Sequence, residues 1–320
     1  MRILITGGFG LIGGRVGAHL QNIGHEIILG TRHHKKNPHW LIGGGVIEID
    51  YVNIDSMEKA LTNVDLVIYA SGMSATQSLE SSDLAYETKR IELENLALVA
   101  KKNKIRVIYI SSAHVYRNPL VGYISEETTT SNSHPYARSH VIGERVLLNS
   151  ELDVAIVRLA NAFGYPAYEN INCWTLLVND LCKQVINTGA IRLSSQGLQY
   201  RNFIDISAVC SVFEGLVKIQ FMGRKIYNLG SDKSMSVIDM AKLVQERARV
   251  AINIAVKIHI NKDDIGLESD RLDFKSDNLR KIGIYVEASI EREVDLLLQY
   301  CGAKFKCQDN WGNGIKWPPL

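Results

Sequence analysis

No run of about 18 apolar residues occurs in this sequence, so nothing in it reads as a membrane-spanning helix. Charge of one sign is also missing. Thirty-six Lys and Arg stand against 34 Asp and Glu, a net +2, too weak a field to gather nucleic acid or anionic lipid. Cysteine is scarce and unpatterned: Cys173, Cys182, Cys210, Cys301 and Cys307 are odd in number and never at CxxC spacing. They read as reduced thiols, not as a disulfide frame or a metal site. The opening MRILITGG has one Arg and a short apolar stretch that stops at Gly7, unlike a secretory leader, so a cytoplasmic protein is expected. Internal repeats and low-complexity tracts are lacking too. What is present is an ordinary globular mixture, 46% apolar and 22% charged over 320 residues. That composition excludes a disordered chain. A chain of this length buries about 75% of its unfolded surface and needs no metal or disulfide staple.

Residues 1–160 alternate short apolar runs with longer mixed segments. The runs are 2–6, 26–30, 46–49, 65–70, 106–111 and 154–159. They are rich in Ile and Val and barely alternate in polarity, the pattern of parallel strands covered on both faces. Between them, 11–22, 84–103 and 135–149 carry apolar residues at helical spacing. This predicts an α/β fold with a doubly wound parallel sheet. After residue 160 the rhythm breaks. Residues 161–206 read as mixed and loop-rich, 207–219 and 236–249 as helices, 225–230 and 254–260 as strands, and 289–300 as a closing helix. A smaller mixed α/β substrate domain over the carboxyl ends of the strands is expected. The expected division gives 1–164 and about 191–228 to the domain of the parallel sheet, and about 165–190 and 229–320 to the cap. The Gly- and Pro-rich tail NWGNGIKWPPL reads as frayed or draped on the surface.

TGGFGLIG (6–13) sets Gly7, Gly10 and Gly13 at GxxGxxG spacing, after a strand and at the start of a helix. That is the context in which glycines cradle a pyrophosphate at a helix N-terminus. Cofactor contacts are expected from Gly7, Phe9, Gly10, Leu11, Ile12 and Gly13. The second strand runs on into Thr31, Arg32 and His33, where an NAD site usually carries an acid. The basic residues suit a 2′-phosphate, so NADP is favoured over NAD. His33, His34 and His39 have no fixed geometry and no Cys or acid partner, so no metal is expected. Asp50 and Tyr51 end the third strand, with Asp50 a candidate acceptor for the adenine amino group. Ala70, Ser71 and Gly72 end the fourth, beside the cofactor ribose.

The strand 106–111 leads into Ser112. Further on, PYARSH places Tyr136 and His140 one helical turn apart. Together with SSAHVY (111–116), RLANAFG (158–164), RNFIDI (201–206) and YNLG (227–230), the sequence resembles the extended short-chain dehydrogenases/reductases nearly end to end. These are the NAD(P)-dependent nucleotide-sugar epimerases, dehydratases and 4-ketoreductases, built on a Rossmann sheet. The resemblance implies catalytic roles for Ser112, Tyr136 and His140, with Tyr136 and His140 also touching the cofactor. It implies substrate contacts from Ser112, His114, Asn161, Arg201 and Arg271, the two arginines on a nucleoside diphosphate.

Three positions depart from the family pattern. His140 stands where the YxxxK pattern has Lys. It can donate to the ribose but carries full charge only below its own pKa of about 6.5. A Lys at 140 is therefore expected to keep or raise activity. Ala113 and His114 replace the Asp–Glu pair of the dehydratases, which argues against 4,6-dehydration. Lys89 falls where an Asn usually lies beside the nicotinamide.

Independently of the resemblance, hydride transfer at a sugar carbon needs a proton moved at the oxygen on that carbon, and a positioned phenol can move it. The expected function is hydride transfer at C4 of a nucleoside-diphosphate sugar, by a 4-ketoreductase or dehydrogenase rather than a 4-epimerase. The rival reading is a dinucleotide-binding protein without catalysis. A homodimer is expected through a four-helix bundle of 84–103 and 135–149, using stripes Ile91, Leu93, Leu96, Val99 and Val141, Val146, Leu148.

Overall fold

In the computed structural model, which describes residues 1–72, 82–220, 223–264 and 270–305, a seven-stranded sheet forms the centre. Its strands are β1 (Arg2–Thr6), β2 (Glu26–Thr31), β3 (Gly45–Glu48), β4 (Leu66–Tyr69), β5 (Arg106–Ser112), β7 (Val154–Leu159) and β11 (Arg224–Leu229). Every pairing among them is parallel, in the order β3-β2-β1-β4-β5-β7-β11. Successive residues of a strand point to opposite faces, and both faces are covered. Ile3, Ile5, Ile27 and Leu29 pack on one side with α1 (Leu11–Asn22) and α6 (Ile206–Lys218). Leu4, Val67, Tyr69 and Tyr109 pack on the other with α2 (Ile54–Ala60), α3 (Ser82–Lys102) and α4 (Pro135–Asn149). This double burial is why the strand sequences read as unbroken apolar runs.

Leu93, Leu96 and Val99 are fully buried in that second core. The apolar stripe expected to face another subunit is therefore largely this subunit's own interior, and Val146 and Leu148 pack on the same core.

The later residues build a smaller lobe. Helices α5 (Leu177–Thr188), α7 (Val237–Ile252) and α9 (Ile290–Phe305) enclose a core with Cys182, Val244, Leu297 and Cys301. Strand β9 (Ala190–Leu193) pairs with β13 (Lys257–Ile260), not with the large sheet, so the expected break near 191 cuts through the smaller lobe. Strand β10 (Tyr200–Asp205) joins β8 (Asn161–Phe163) and β12 (Ser234–Ser236), and β6 (Gly122–Ile124) pairs with β14 (Leu272–Phe274). A short helix, α8 (Asp277–Lys281), lies against β11.

Helix α5 lies within the stretch expected to be loop-rich. Val178, Leu181, Cys182, Val185 and Ile186 give it a buried face, and Gly189 ends it at φ +65°. The polar residues between these positions hid the helical period. Cys307 and the Gly- and Pro-rich tail lie outside the described residues. Among the described residues, no helix is long and apolar enough to cross a membrane.

Two buried ion pairs tie the layers together. Arg158 on β7 donates to Glu144 on α4 through Nε at 3.0 Å and Nη2 at 2.6 Å. Arg15 on α1 donates to the Tyr165 carbonyl at 3.0 Å and lies 3.8 Å from Glu293 on α9. Removing one member of a buried pair leaves a charge without compensation, which costs about 3–5 kcal/mol. Glu144→Gln should lower stability by about that much in urea unfolding, because the Arg158 guanidinium would stay buried without its counter-charge.

Candidate active site

The chain leaves β1 for β2 on one side, while β4 lies on the other, so the strand order reverses between β1 and β4. Ligands of open α/β sheets bind outside the carboxyl ends at such a reversal. Here the loop after β1 turns at Gly7, φ +64°, where a Cβ would lie 2.7 Å from the Ala70 carbonyl oxygen. A Cβ on Gly13 would lie 2.5 Å from the Gly7 oxygen. Thr6 Oγ1 accepts from the Ala70 and Ser71 amides at 3.1 and 3.2 Å, fixing the end of β4 beside that of β1. Gly10 caps α1 without a side chain, and no acid sits in the first turn. The helix's free amides and positive end are thus left for an anion. Phe9 and Leu11 are buried at this turn, and Ile12 is half-buried. Phe9 stacks edge-on against Tyr168 at 5.2 Å, with the Lys35 ammonium 4.5 Å from the Phe9 ring.

At the end of β2, Arg32 and His33 are exposed, and the Thr31 hydroxyl donates to the His33 carbonyl at 3.0 Å. A recess of about 310 Å³ there is lined by Thr31, His34, Lys35, Lys36, Asn37, Val46 and Glu48. Asp50 is exposed and accepts from the Val52 amide at 3.2 Å. Tyr51 is buried, which pushes its phenol up to about 12. Gly72 is exposed, with Ala70 and Ser71 half-buried on the crevice wall.

Across the crevice stand the groups expected to act on a substrate. Ser112 ends β5 and accepts from the His114 amide at 3.2 Å. It also hydrogen-bonds Tyr136, whose phenol is raised by burial more than that bond lowers it. Tyr136 sits in the first turn of α4, where Pro135 starts the helix and the His134 ring caps the Tyr136 amide at 3.2 Å. The Tyr136 ring lies 4.7 Å from that of His140 and 6.4 Å from that of His114. His114 is solvent-accessible but surrounded by protein on most sides. This burial and the Arg201 charge lower its pKa, while its hydrogen bond with Asn161 works the other way. Asn161 itself donates to the Asn202 carbonyl at 3.0 Å. Arg201 is lowered by burial, and no acid partner for it is found among the described residues. Ser112, Tyr136, His140, His114, Asn161 and Arg201 therefore converge.

Arg271 is exposed just before β14, its carbonyl accepting from the Gly122 amide. Arg138 turns away from the crevice and lies over the Tyr86 ring at 5.2 Å.

The structure corrects the charge expected of His140. The ring is packed within protein, beside the charges of Lys89 and His114, and its pKa falls to about 3. Neutral near pH 7, it can donate or accept a hydrogen bond but supplies no cation. Lys89 is buried, its ammonium on Tyr69, Ser71 and Glu92. Sequence reasoning missed Glu92, Tyr69, Tyr109 and Glu144. One signal was available: Lys89 and Glu92 interrupt a helix whose neighbouring positions, Leu93, Leu96 and Val99, are core.

A family model described as the NAD dependent epimerase/dehydratase family matches residues 3–230. This chain belongs to that family. It is 28% identical over 288 residues to a UDP-glucose 4-epimerase of Mycoplasma genitalium, covering 80% of this chain and 85% of that one. Among solved structures, a Bifidobacterium longum UDP-glucose 4-epimerase with NAD⁺ and UDP superposes with a TM-score of 0.78 at 19% identity, covering 95% of this chain and 99% of that chain. An NAD-dependent NDP-hexosamine 5,6-dehydratase of tunicamycin biosynthesis gives 0.75 at 24% identity, covering 96% and 98%. These likenesses establish the doubly wound Rossmann fold.

The glycine turn of this family member fits a dinucleotide pyrophosphate, since a Cβ at Gly7 or Gly13 would collide with the backbone that packs the turn against β4 and α1. Gly13→Ala should weaken NAD binding by about tenfold or more, measured by calorimetry, because the added methyl forces the loop off the helix.

Proposed function

We propose that this family member is an NAD(P)-dependent enzyme acting at C4 of a nucleoside-diphosphate sugar, as a 4-ketoreductase or dehydrogenase rather than a 4-epimerase. The observation that carries the reading is Tyr136 hydrogen-bonded to Ser112 in one crevice with Arg201. A guanidinium without an acid partner suits a diphosphate. His114 and Asn161, bonded to one another, offer neutral hydrogen-bonding groups to the sugar.

A bound nicotinamide cofactor supplies the hydride donor or acceptor. The protein's part is the proton. Tyr136 rests as a neutral phenol, because burial outweighs the bond to Ser112. A neutral phenol is ready to give its proton to the oxygen of a keto sugar under reduction, with Ser112 holding the same oxygen. Among the described residues no cation touches Tyr136, and under this reading the neutral contacts around the phenol favour reduction. The remaining elements of the proposal are a cytoplasmic location and a homodimer through the outer faces of α3 and α4, where Leu98 is 59% exposed. The non-catalytic alternative draws on the two departures at His140 and Lys89.

Turnover with NADPH or NADH over a panel of nucleoside-diphosphate 4-keto sugars tests the reading. Tyr136→Phe should cut turnover by about 10²–10⁴-fold while leaving dinucleotide binding in place. Binding of nucleotide sugars without turnover of any would favour the non-catalytic alternative.

NADP is favoured over NAD by Arg32 and by the lysines of the neighbouring recess. Arg32→Asp should weaken NADP binding about tenfold more than NAD binding, since a carboxylate repels the 2′-phosphate yet accepts from a 2′-hydroxyl. Equal loss for both would remove Arg32 from the phosphate site.

A further inference from the structure

Charge of both signs lies buried behind the crevice, and no step of the chemistry above uses it. Lys89 on α3 is only 7% exposed. Its three ammonium donors are spent on the Tyr69 hydroxyl at 3.1 Å, the Ser71 carbonyl at 3.0 Å and the Glu92 carboxylate at 3.3 Å. The Tyr69 hydroxyl donates to the same Glu92 oxygen at 2.6 Å, so the group is closed. Ser71 lies at the carboxyl end of β4, on the crevice wall. A buried lysine on a neighbouring helix thus reaches the lip of the pocket.

Tyr69 and Tyr109 are register partners on β4 and β5, with ring centroids 5.8 Å apart. The Tyr109 hydroxyl lies 3.3 Å from His140 Nδ1, and the His140 ring packs edge-on against Tyr136. A run of contacts therefore links Lys89, Tyr69, Tyr109, His140 and Tyr136, across two strands and between two helices. The groups facing His140 are Lys89 from α3, Tyr109 from β5, His114 from the turn after β5 and Tyr136 from its own helix. The groups facing Lys89 are Glu92, Tyr69 and the more distant Arg32. In the arrangement we infer, the Tyr109 hydroxyl donates a hydrogen bond to Nδ1. The imidazole proton is thereby left on Nε2.

We propose that Lys89, delivered from α3, carries the fixed positive charge of the proton-transfer site, and that His140 is a neutral positioning residue whose Nε2–H is left free to donate toward the cofactor. This rests on the proposed hydride chemistry for its purpose, but the charge arrangement itself is tested without any sugar. Glu92 keeps the buried ammonium charged by compensating it. A cation at 140 would then face a cation already present. The arrangement has room for one, and this reverses the expectation that a Lys at 140 helps.

The test combines a titration with a swap. In the unaltered protein, ring-proton NMR should show no His140 titration between about pH 5 and pH 8, because the neutral form is held throughout. A His140 midpoint near the ordinary 6.5 or so would overturn the proposal. For the swap, Lys89→Met with Glu92→Gln removes both charges together, so neither is left buried alone, and thermal melting reports whether the fold is kept. Affinity for NAD⁺, measured by calorimetry, is then compared with and without His140→Lys. In the unaltered background His140→Lys should weaken NAD⁺ binding roughly tenfold, the scale of a coupled contact. In the charge-free background the same change should restore binding toward the starting value. An equal effect of His140→Lys in both backgrounds would mean that the two positions do not share one charge. If the NMR and binding results hold while no keto sugar is ever reduced, the charge exchange stands and the proposed reaction falls.

Discussion

Glu144 accepts from Ser111 at 2.6 Å and from two nitrogens of Arg158, and this one carboxylate pins α4 to both β5 and β7. All of these partners are buried. Tyr136, His140 and Glu144 recur every fourth residue, on one face of the helix. Whatever fixes Glu144 therefore fixes the height of His140 and Tyr136 above the sheet. Gly143 completes the constraint. A Cβ there would sit 2.5 Å from the Tyr109 hydroxyl, so only a glycine lets the helix come close enough for His140 to reach that hydroxyl. The contact between Tyr136 and Ser112 thus depends on an ion pair two turns further along the helix, outside the crevice.

The other buried pair does a different task. Arg15 sits on the helix that opens with the glycine loop, and it holds the Tyr165 carbonyl where the chain passes into the smaller lobe. Its approach to Glu293 is loose, at 3.8 Å, and Glu293 takes its firm bond from Ser207 at 2.6 Å. Burial raises the Glu293 carboxyl, with Arg15 and Ser207 opposing. The phosphate loop and the last helix are thus coupled through a carboxylate that is not tightly paired. The Arg158 pair, with two short bonds, fixes the helix that carries Tyr136 and His140; the Arg15 pair joins the lobes with a weaker contact.

Much of the large sheet was legible because parallel strands buried on both faces need continuous apolar runs, and β1, β5 and β7 carry them within a residue or so of the expected limits. The glycine loop was legible because its spacing answers a steric demand that few other turns make. The smaller lobe was less so. Its strands run three to six residues and its sheets two or three strands, so each leaves a weak pattern, and the polar residues of α5 mask its helical period. The helical stripe at Leu93, Leu96 and Val99 showed burial but not which body buries it; periodicity cannot distinguish a core from an interface. The charge state of His140 was beyond sequence altogether. It depends first on burial of the ring, then on Lys89, fifty-one residues away in the chain, and on His114 from the turn after β5.

With His140 neutral, both groups flanking Tyr136 are imidazoles without charge, since His114 is lowered as well. The three rings form a proton-transfer surface on which only the phenol has a proton of suitable strength to give to a developing alkoxide. Elimination of water from a sugar would need an acid and a base of its own on the substrate, and the turn Ala113–Val115 carries no carboxylate. The neutral rings in contact with Tyr136 raise the cost of forming phenolate, and the Lys89 charge, held beyond Tyr109 and His140, offsets it only from a distance. In the proposed reaction, that asymmetry favours giving a proton to a carbonyl oxygen over taking one from a sugar hydroxyl, unless further positive charge enters with the cofactor. An oxidised nicotinamide brings such a charge and a reduced one does not. Under the proposed reading, a reduced nicotinamide would meet Tyr136 already in the protonation state that reduction needs.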